Sequence, residues 1–328
     1  MKRIALTLIA LIAAAVVGAH VAFASPKPIG TGIVVIDTNL AYDGGQAAGT
    51  GMVLTSNGEI LTNNHVIAGS STVTVVVPGT THRYTATVVG YSVTNDVAVL
   101  KLANASNLKT VSTSTSKVSL GSKVRAVGNA GGTGSLITAA GQITGLAKTI
   151  TASDDGGSSE TLHGLLETDA NVQAGDSGGP LVNASGKVIG MDTAASQGNF
   201  GYGFASTSTP DAYAIPIARA LTVAKQITSG ASSTTVHIGS TAFLGIQVEA
   251  LQQGALVAGV VPGGPADSAG LTAGVLITAI DGHTIIDPTQ VTAYLLTKTP
   301  GQQVTLTTAD QFGNAGSVTV TLGSGPPQ

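Results

Sequence analysis

The sequence contains no cysteine and no tryptophan, and only 9% of its residues are charged. Without cysteine the chain has no disulfides, no thiolate nucleophile and no cysteine metal ligands. The net charge is −3 and no block of basic residues is present, so the chain lacks the electrostatic footprint of a nucleic-acid-binding protein. Six Tyr and five Phe residues give no evident aromatic platform for stacking bases. We therefore expect no nucleic-acid partner.

Glycine and apolar residues are what the chain has in quantity. Glycine accounts for 44 of 328 residues and hydrophobic residues for 43%. Glycine supplies the positive φ angles that tight turns demand, so this composition suits a β-rich protein with many turns. The length is that of one to three domains.

The N-terminus predicts a secretory signal peptide over residues 1–24. Lys2 and Arg3 precede a run over residues 4–17 that is apolar except for Thr7, and Ala22-Phe23-Ala24 provides a small-x-small cleavage site. An uncleaved anchor is the alternative, but the apolar run is short for a span of roughly 20 residues. We expect cleavage after Ala24 and an exported protein, either secreted or held in the cell envelope.

The mature chain divides into two units joined by a polar linker at residues 229–240. Before the linker, over residues 25–228, short Val-, Ile- and Thr-rich runs alternate with Gly, Asn and Ser, which predicts a sandwich or barrel. One helix is predicted over residues 217–227, after Pro216. Residues 151–160 are predicted to form a mobile loop. The second unit, residues 241–328, mixes strands with two helices, predicted over residues 265–269 and 289–296.

The sharpest chemical signal is Gly175-Asp176-Ser177-Gly178-Gly179-Pro180. A serine hydroxyl is a poor nucleophile unless a base takes its proton, and its oxygen must stand beside donors that can hold an oxyanion. Flanking glycines allow such an open backbone. The six residues match the nucleophile motif of trypsin-like serine proteases, and Ser177 is therefore the candidate nucleophile.

Two further motifs supply a base and an acid in the order expected for a chymotrypsin-type triad. His65 follows a predicted strand in Asn63-Asn64-His65-Val66, and Asp96 stands at the mouth of an apolar strand. Either motif alone would indicate a structural role for its histidine or aspartate, but three motifs in this order favour catalysis. Three other carboxylates compete by type for the third position: Asp169, Asp176 and Asp192.

The chain resembles the HtrA (high-temperature-requirement A, DegP-like) family of trypsin-fold proteases. The similarity runs along nearly the whole mature chain. The segments that carry it are Gly49-Thr50-Gly51-Met52-Val53, Asn63-Asn64-His65-Val66, Thr94-Asn95-Asp96-Val97-Ala98, Val127-Gly128-Asn129, Thr168-Asp169-Ala170 and residues 175–181. The resemblance implies a mostly β protein: a trypsin-like double β-barrel protease domain, followed by an α+β PDZ domain.

The resemblance also implies roles for individual residues. Ser177 would attack the peptide carbonyl, His65 would act as base and acid, and Asp96 would orient the imidazole. The amides of Gly175 and Ser177 would form the oxyanion hole, and no metal or organic cofactor is needed. Asp176 departs from the family, which usually carries Asn there.

The substrate pocket is predicted from the same match of motifs. The residue at its base would be Asn171, which is uncharged, so we expect cleavage after small or medium apolar residues rather than after Lys or Arg. The predicted wall of the pocket is Met191, Asp192, Thr193 and Ala194.

In the second unit, Phe243-Leu244-Gly245-Ile246 resembles the carboxylate-binding loop of PDZ domains. There, backbone amides receive a peptide's C-terminal carboxylate and the peptide adds as a strand to the sheet edge. The family's Gly-Asp turn is replaced here by Gly274-Val275. We expect peptide C-termini to bind this unit, although a ligand-free stabilising module is the alternative.

Three functions fit these residues. The first is an ATP-independent endopeptidase acting on unfolded or misfolded exported proteins. The second is a chaperone or peptide-binding scaffold whose protease is silent at rest, and the third is a nutritional secreted protease.

The family resemblance implies a homotrimer. Beyond the predicted signal peptide, the histidines other than His65 lack metal-ligand spacing, and no metal site is predicted: His82, His163, His237 and His283.

Overall fold

The computed structural model of the chain describes residues 29–41, 45–154, 159–195, 202–203, 212–251 and 254–328. The predicted signal peptide, residues 1–24, lies outside the described residues. Within these ranges no helix combines the length and the apolar character that a membrane crossing requires.

Six antiparallel strands close into a first barrel. Its strands are β1 (Ile33–Leu40), β2 (Gln46–Val53), β3 (Glu59–Thr62), β4 (Ser70–Val76), β5 (Arg83–Ser92) and β6 (Val97–Leu102). The order β5-β4-β1-β2-β3-β6 closes because β6 also pairs with β5. Closure removes the exposed strand edges that an open sheet would leave.

Strands of this barrel are apolar on both faces because each face packs in a different hydrophobic cluster. Val34 and Ile36 point into the barrel core, whereas Ile33 packs in a separate cluster outside it. The last strand behaves in the same way, with Leu100 inside and Val99 outside. Because successive residues of a strand face opposite sides, a continuous apolar run indicates burial on both.

A second barrel has the same closed topology. Its strands are β7 (Lys123–Gly128), β8 (Ile137–Asp154), β9 (Ser159–Thr168), β10 (Pro180–Asn183), β11 (Val188–Ala195) and β13 (Ala212–Pro216), with β12 (Tyr202–Gly203) added at the edge of β8. A 3₁₀ turn, Ala130–Gly132, follows β7, and helix α1 (Ile217–Thr228) follows β13.

One apolar cluster joins the two barrels to helix α1. It contains Met52 and Val99 from the first barrel, Met191 and Ile215 from the second, and Val223 from the helix. Strands β2 and β6 of the first barrel and β11 and β13 of the second therefore pack against one another at the seam between the barrels. The predicted double barrel is confirmed.

The hairpin β8–β9 corrects one prediction. Residues 151–160 were expected to form a loop, but Thr151, Ala152 and Ser153 pair with Thr161, Glu160 and Ser159. Only residues 155–158, which lie outside the described part of the chain, separate the two strands. Thr151 and the flanking Thr149 and Thr161 are β-branched, which favours extended backbone over a loop.

The C-terminal unit is an α+β domain. Its sheet has the order β16-β17-β18-β20-β21, with β19 beside β18, and a separate ladder joins β15 to β22. The strands are β15 (Thr241–Phe243), β16 (Ile246–Leu251), β17 (Gly254–Val260), β18 (Leu276–Ile280), β19 (His283–Thr284), β20 (Gln303–Ala309), β21 (Ala315–Thr321) and β22 (Gly323–Gly325). Helices α2 (Pro265–Ser268) and α3 (Pro288–Leu295) complete it.

The predicted linker, residues 229–240, includes a strand that adds to the first barrel. This strand, β14 (His237–Ile238), pairs with Tyr91 and Gly90 of β5. The ring of His237 lies 5.1 Å from that of Tyr91. The Tyr91 hydroxyl is in turn 3.0 Å from Thr241 Oγ1, at the start of the C-terminal unit. The junction is thus held by backbone pairing and by a buried tyrosine.

Candidate active site

Asp96 lies at the seam because it immediately precedes the strand β6. It is 1% exposed, and its backbone has φ +48, in the left-handed region that Asp tolerates better than most residues. The backbone is fixed on both sides: Asp96 N donates to Val93 O at 2.8 Å, and Asn63 Nδ2 donates to Asp96 O at 2.9 Å. The residue is therefore held from its own turn and from the end of β3.

His65 meets the Asp96 carboxylate twice. Its ring Nδ1 lies 2.9 Å from Asp96 Oδ2, and its backbone N donates to Oδ1 at 3.0 Å. The His65 side chain keeps 28% exposure while that of Asp96 has 2%. Burial opposes the imidazolium, but the charge and hydrogen bond of Asp96 favour it more strongly, and the pKa of His65 is raised. A partly exposed imidazole braced by a buried carboxylate can act as a general base.

Thr193 supplies a further hydrogen bond to Asp96, donating from Oγ1 to Oδ2. Thr193 belongs to β11 of the second barrel and is 3% exposed. Sequence reasoning placed it in the pocket wall and missed this role. The contact ties the acid of the first barrel to a strand of the second.

Ser177 is anchored between the barrels by its backbone. Thr50 N, in β2, donates to Ser177 O at 2.8 Å, and Thr62 Oγ1, at the end of β3, donates to Thr50 O at 2.8 Å. On the other side, Gly178 N donates to Asp192 O at 2.9 Å. The serine itself is half-buried. The Ser177 loop thus contacts two strands: β2, which pairs with the strand leading into His65, and β11, which carries Thr193.

Gly175 N and Ser177 N, the amides predicted to form the oxyanion hole, are available to donate to a ligand. Neither Gly175 N nor Ser177 N donates to a protein acceptor among the described residues. Ala174 O accepts from Gly131 N at 2.7 Å, and in a trans peptide the N–H of Gly175 points the opposite way. Gly175 has φ +90, and an added Cβ would lie 2.2 Å from Asn129 O, so only glycine fits.

Thr50 is a second residue whose role the sequence reasoning missed. Besides its backbone bonds, Thr50 Oγ1 donates to Gly175 O at 2.6 Å and accepts from Asn129 N at 2.9 Å. It fixes the peptide on one side of Gly175. The only sequence signal was its place in the Gly49-Thr50-Gly51 match, which carried no stated function.

Two buried carboxyl groups belong to residues next to the Ser177 loop or within it. Asp176 is 3% exposed and its Oδ2 accepts from Gln173 N at 2.9 Å, while Asp192 has no exposure and its carboxyl oxygens have no hydrogen-bond partner among the described residues. Burial raises the pKa of Asp176 to about 6, although the Gln173 amide opposes this. Burial, followed by the charge of Asp176, raises the pKa of Asp192 well above its ordinary value.

The predicted pocket residues are not all accessible. Asn171 is exposed, but Met191, Asp192 and Thr193 are buried, and the side chain of Ala194 lies outside what the structure describes. Met191 packs in the cluster between the barrels. These three buried side chains offer no surface to a substrate, so a pocket here would consist of Asn171 and the backbone of β11.

In the C-terminal unit, the segment 243–246 links β15 to the edge strand β16. Gly245 has φ +79, and its carbonyl accepts from Val261 N at 2.9 Å. The amides of Leu244 and Gly245 donate to no protein acceptor among the described residues. Within the described strands β16 pairs with β17 alone, and helix α3 packs beside both. The unit thus offers free amides at the start of an unpaired strand edge.

No group of three or more His, Asp or Glu side chains suited to a metal ion occurs in the described part of the chain. His237 is instead used structurally, with its two ring nitrogens near Leu296 O and Ser240 O.

Comparisons with known proteins agree with this architecture. The model of the trypsin-like peptidase domain matches residues 49–191, a range that includes His65, Asp96 and Ser177. The model of the PDZ domain matches residues 242–310.

Among curated proteins, the chain is 32% identical over 314 residues to a serine protease named PepD from Mycobacterium tuberculosis. That alignment covers 89% of this chain and 63% of the relative. A probable periplasmic serine protease, do/HhoA-like, from Haemophilus influenzae is 34% identical over 79% of this chain and 54% of its own length. The chain therefore spans little more than half the length of these relatives.

Among solved structures, an HtrA-type protease AlgW with a tripeptide is 27% identical to the chain, with a TM-score of 0.51. The alignment covers 93% of this chain and 95% of that one. A variant of the same protease, also with a tripeptide, gives 26% identity and a TM-score of 0.51 over the same shares of the two chains.

Proposed function

Because the chain belongs to the HtrA-type serine proteases, with a trypsin-like peptidase domain followed by one PDZ domain, we propose a specific activity for it. It hydrolyses peptide bonds of unfolded or misfolded exported proteins, without ATP, through an acyl-enzyme. The names of periplasmic relatives support an exported protein of the cell envelope. The homotrimer remains a prediction from the resemblance.

The observation that carries this proposal is the double contact of His65 with buried Asp96 beside the Ser177 loop. In the proposed reaction His65 takes the Ser177 proton as the oxygen attacks the scissile carbonyl, and later gives it to the leaving amine. Asp96 holds the imidazole with Nδ1–H toward itself, so that Nε2 is the basic nitrogen. Water then repeats the steps to release the acyl group.

Developing negative charge on the carbonyl oxygen would be met by the amides of Gly175 and Ser177. Each such donor typically contributes about 3–4 kcal/mol to the transition state. Neither amide donates to a described protein acceptor, which supports this role. The exposed, uncharged Asn171 supports cleavage after small or medium apolar residues. Comparable cleavage after Arg and after Val in a peptide library would contradict this preference.

For the PDZ domain we propose binding of a peptide's free C-terminus. The amides of Leu244 and Gly245 receive the carboxylate, while the peptide backbone pairs with β16 opposite α3. Phe243 and Ile246 flank the carboxylate position. Unfolded substrates and peptide C-termini are thus the two classes of partner.

The test of the catalytic proposal is degradation of casein by the full chain and by Ser177→Ala. We expect the substitution to lower turnover at least about 10⁴-fold, because loss of a triad nucleophile leaves only binding and oxyanion stabilisation. A fluorophosphonate probe should label the wild type alone. A wild type that stays unlabelled, even with unfolded protein or a C-terminal peptide present, would favour the silent scaffold instead.

A further inference from the structure

The catalytic histidine lies in a turn that is fixed from two sides. After β3, the turn over residues 64–70 is closed internally by Ile67 N and Ala68 N, which both donate to Asn64 O at 2.9 Å. Asp96 holds the near side through its bonds to Asn63 and His65. Two other donors of this turn, Asn64 Nδ2 and Gly69 N, make no hydrogen bond to Asp96. They need acceptors elsewhere in the protein.

Those partners come from the last residues of the chain. Gly69 N donates to Pro327 O at 2.8 Å, and Asn64 Nδ2 donates to Gln328 O at 2.9 Å. The two bonds bracket His65 at the positions just before it and four residues after it. Asn64 is only 4% exposed, so its amide would otherwise lack a partner away from water.

This terminal segment is itself anchored in two places. Tyr91 hydroxyl accepts from Gln328 N at 3.3 Å, and Tyr91 is 1% exposed in the first barrel. Upstream, β22 pairs with β15 of the PDZ domain. A Cβ added at Gly325 would lie 2.5 Å from the Phe243 side chain, which shows how closely the ring covers this backbone.

We propose that residues 323–328 form a positioning strap, through which the PDZ domain holds the catalytic-histidine turn of the protease in register. The strap touches neither Asp96 nor Ser177 in any described contact. It acts through Asn64 and Gly69, fixing where the His65 ring stands relative to the serine. The inference rests on the proposed protease activity and adds a requirement to it.

The test uses the full chain and three strap variants. A chain ended after Gly325 removes all three bonds to the first barrel, and Gly325→Val pushes the strap off Phe243. Gln328→Ala is the matched control, because it changes the last side chain while keeping the backbone groups that make the bonds. The probe is the fluorophosphonate, whose reaction needs the His65 base but little substrate recognition.

We expect the limiting labelling rate to fall roughly 10- to 100-fold in the shortened chain and in Gly325→Val, as misplacement by about 1 Å can do. The probe concentration for half-maximal rate should stay unchanged, and Gln328→Ala should behave as the wild type. The acid limb of the rate–pH profile should also move to lower pH, because a looser Asp96 contact would stabilise the imidazolium less. A strap that merely adds stability would alter neither the limiting rate nor the profile of folded protein.

Circular dichroism at the assay temperature establishes that each variant is folded. If the shortened chain does not fold, Tyr91→Phe provides the second test, since it removes only the Gln328 N and Thr241 contacts of one hydroxyl. A fall of about two- to fivefold in limiting rate is then expected, because one of the three bonds of the strap is lost. Folded strap variants, or Tyr91→Phe, that label at the wild-type rate would overturn the inference. A wild type that never labels would instead refute the catalytic proposal.

Discussion

The peptidase and PDZ domains offer two different kinds of chemistry. In the seam between the barrels, the proposed work is done by side chains: an imidazole braced by a carboxylate that also receives a hydrogen bond from Thr193. In the PDZ domain, it is done by main-chain groups, the amides of Leu244 and Gly245 and the free edge of β16. A side-chain site depends on residue identity, whereas a main-chain site depends on backbone shape.

This difference predicts which substitutions matter. In the first site, changing one functional group should abolish chemistry while the backbone is untouched. In the second, most side chains can change without consequence, and only a residue that sets the backbone conformation should be sensitive.

The largest effect is expected for Asp96→Asn. The amide has nearly the same shape, but it favours the wrong tautomer of His65, and the loss expected for such a change in a triad is about 10⁴-fold in kcat. Asp37→Asn is the control, a half-buried carboxylate of the same barrel that pairs with Arg83. Peptide turnover by both variants checks the prediction. Activity within about tenfold of wild type for Asp96→Asn would mean that residue identity does not govern this site.

The intermediate effect is expected in the PDZ domain for Gly245→Ala. The backbone there has φ +79, and the new Cβ would lie 3.2 Å from Pro265 Cδ and 3.3 Å from Phe243 Cε1. The backbone strain and the close contacts of the new Cβ should both displace the amides of Leu244 and Gly245. Affinity for a peptide with a free C-terminus should therefore fall at least about tenfold. Fluorescence polarisation measures this, with an amidated peptide to show dependence on the carboxylate.

Gly301→Ala is the matched control for that measurement. Gly301 also has positive φ, +87, but no atom of the described residues lies within 4 Å of its added Cβ. It therefore introduces similar backbone strain elsewhere in the domain. Equal losses in both variants would assign the effect to domain stability rather than to the carboxylate loop. Ser177 labelling should be unaffected by Gly301→Ala.

The contrast between a side-chain site and a main-chain site also explains which features could be predicted from the sequence. The motifs around His65, Asp96 and Ser177 are visible because the chemistry needs those residue types, and the barrel strands follow from apolar runs that alternate with turns. The roles of Thr50 and Thr193 could not be predicted in this way, because a threonine that donates across the seam looks like any strand threonine until the barrels are packed together.

The contact of residues 323–328 with the histidine turn was even harder to predict from the sequence than the roles of the two threonines. Pro327 and Gln328 contribute only backbone groups to the histidine turn, so their sequence carries no trace of the contact. Likewise residues 151–160 were predicted to form a mobile loop, whereas Thr151, Ala152 and Ser153 pair with β9. Contacts between distant backbone segments are set by tertiary packing rather than by local residue choice.

The smallest effect concerns Asp176 and Asp192, the buried acids near Ser177, where side-chain identity should affect stability rather than chemistry. The pKa of Asp176 is raised from 3.8 to about 6 in the folded protein, chiefly by burial. Between about pH 4 and pH 6 the folded chain therefore binds more protons than the unfolded chain, and stability falls as pH rises through this window. Asp192, whose pKa is also raised, acts in the same direction.

Asp176→Asn should remove its share of this pH dependence, because the amide has no charge to bury and can keep the bond from Gln173 N. With about 1.4 kcal/mol per pKa unit, the gain in unfolding free energy at about pH 7.5 is at most about 3 kcal/mol, and it should fall to about 0.5 kcal/mol near about pH 4. Urea unfolding at both pH values measures it, in a Ser177→Ala background to prevent self-cleavage. Asp169→Asn is the matched control, an exposed acid of the same barrel that, like Asp176, accepts a backbone amide, here from Gln142 N at 2.6 Å. A gain that is equal at both pH values would show that packing, and not ionisation, sets the stability of this buried pair.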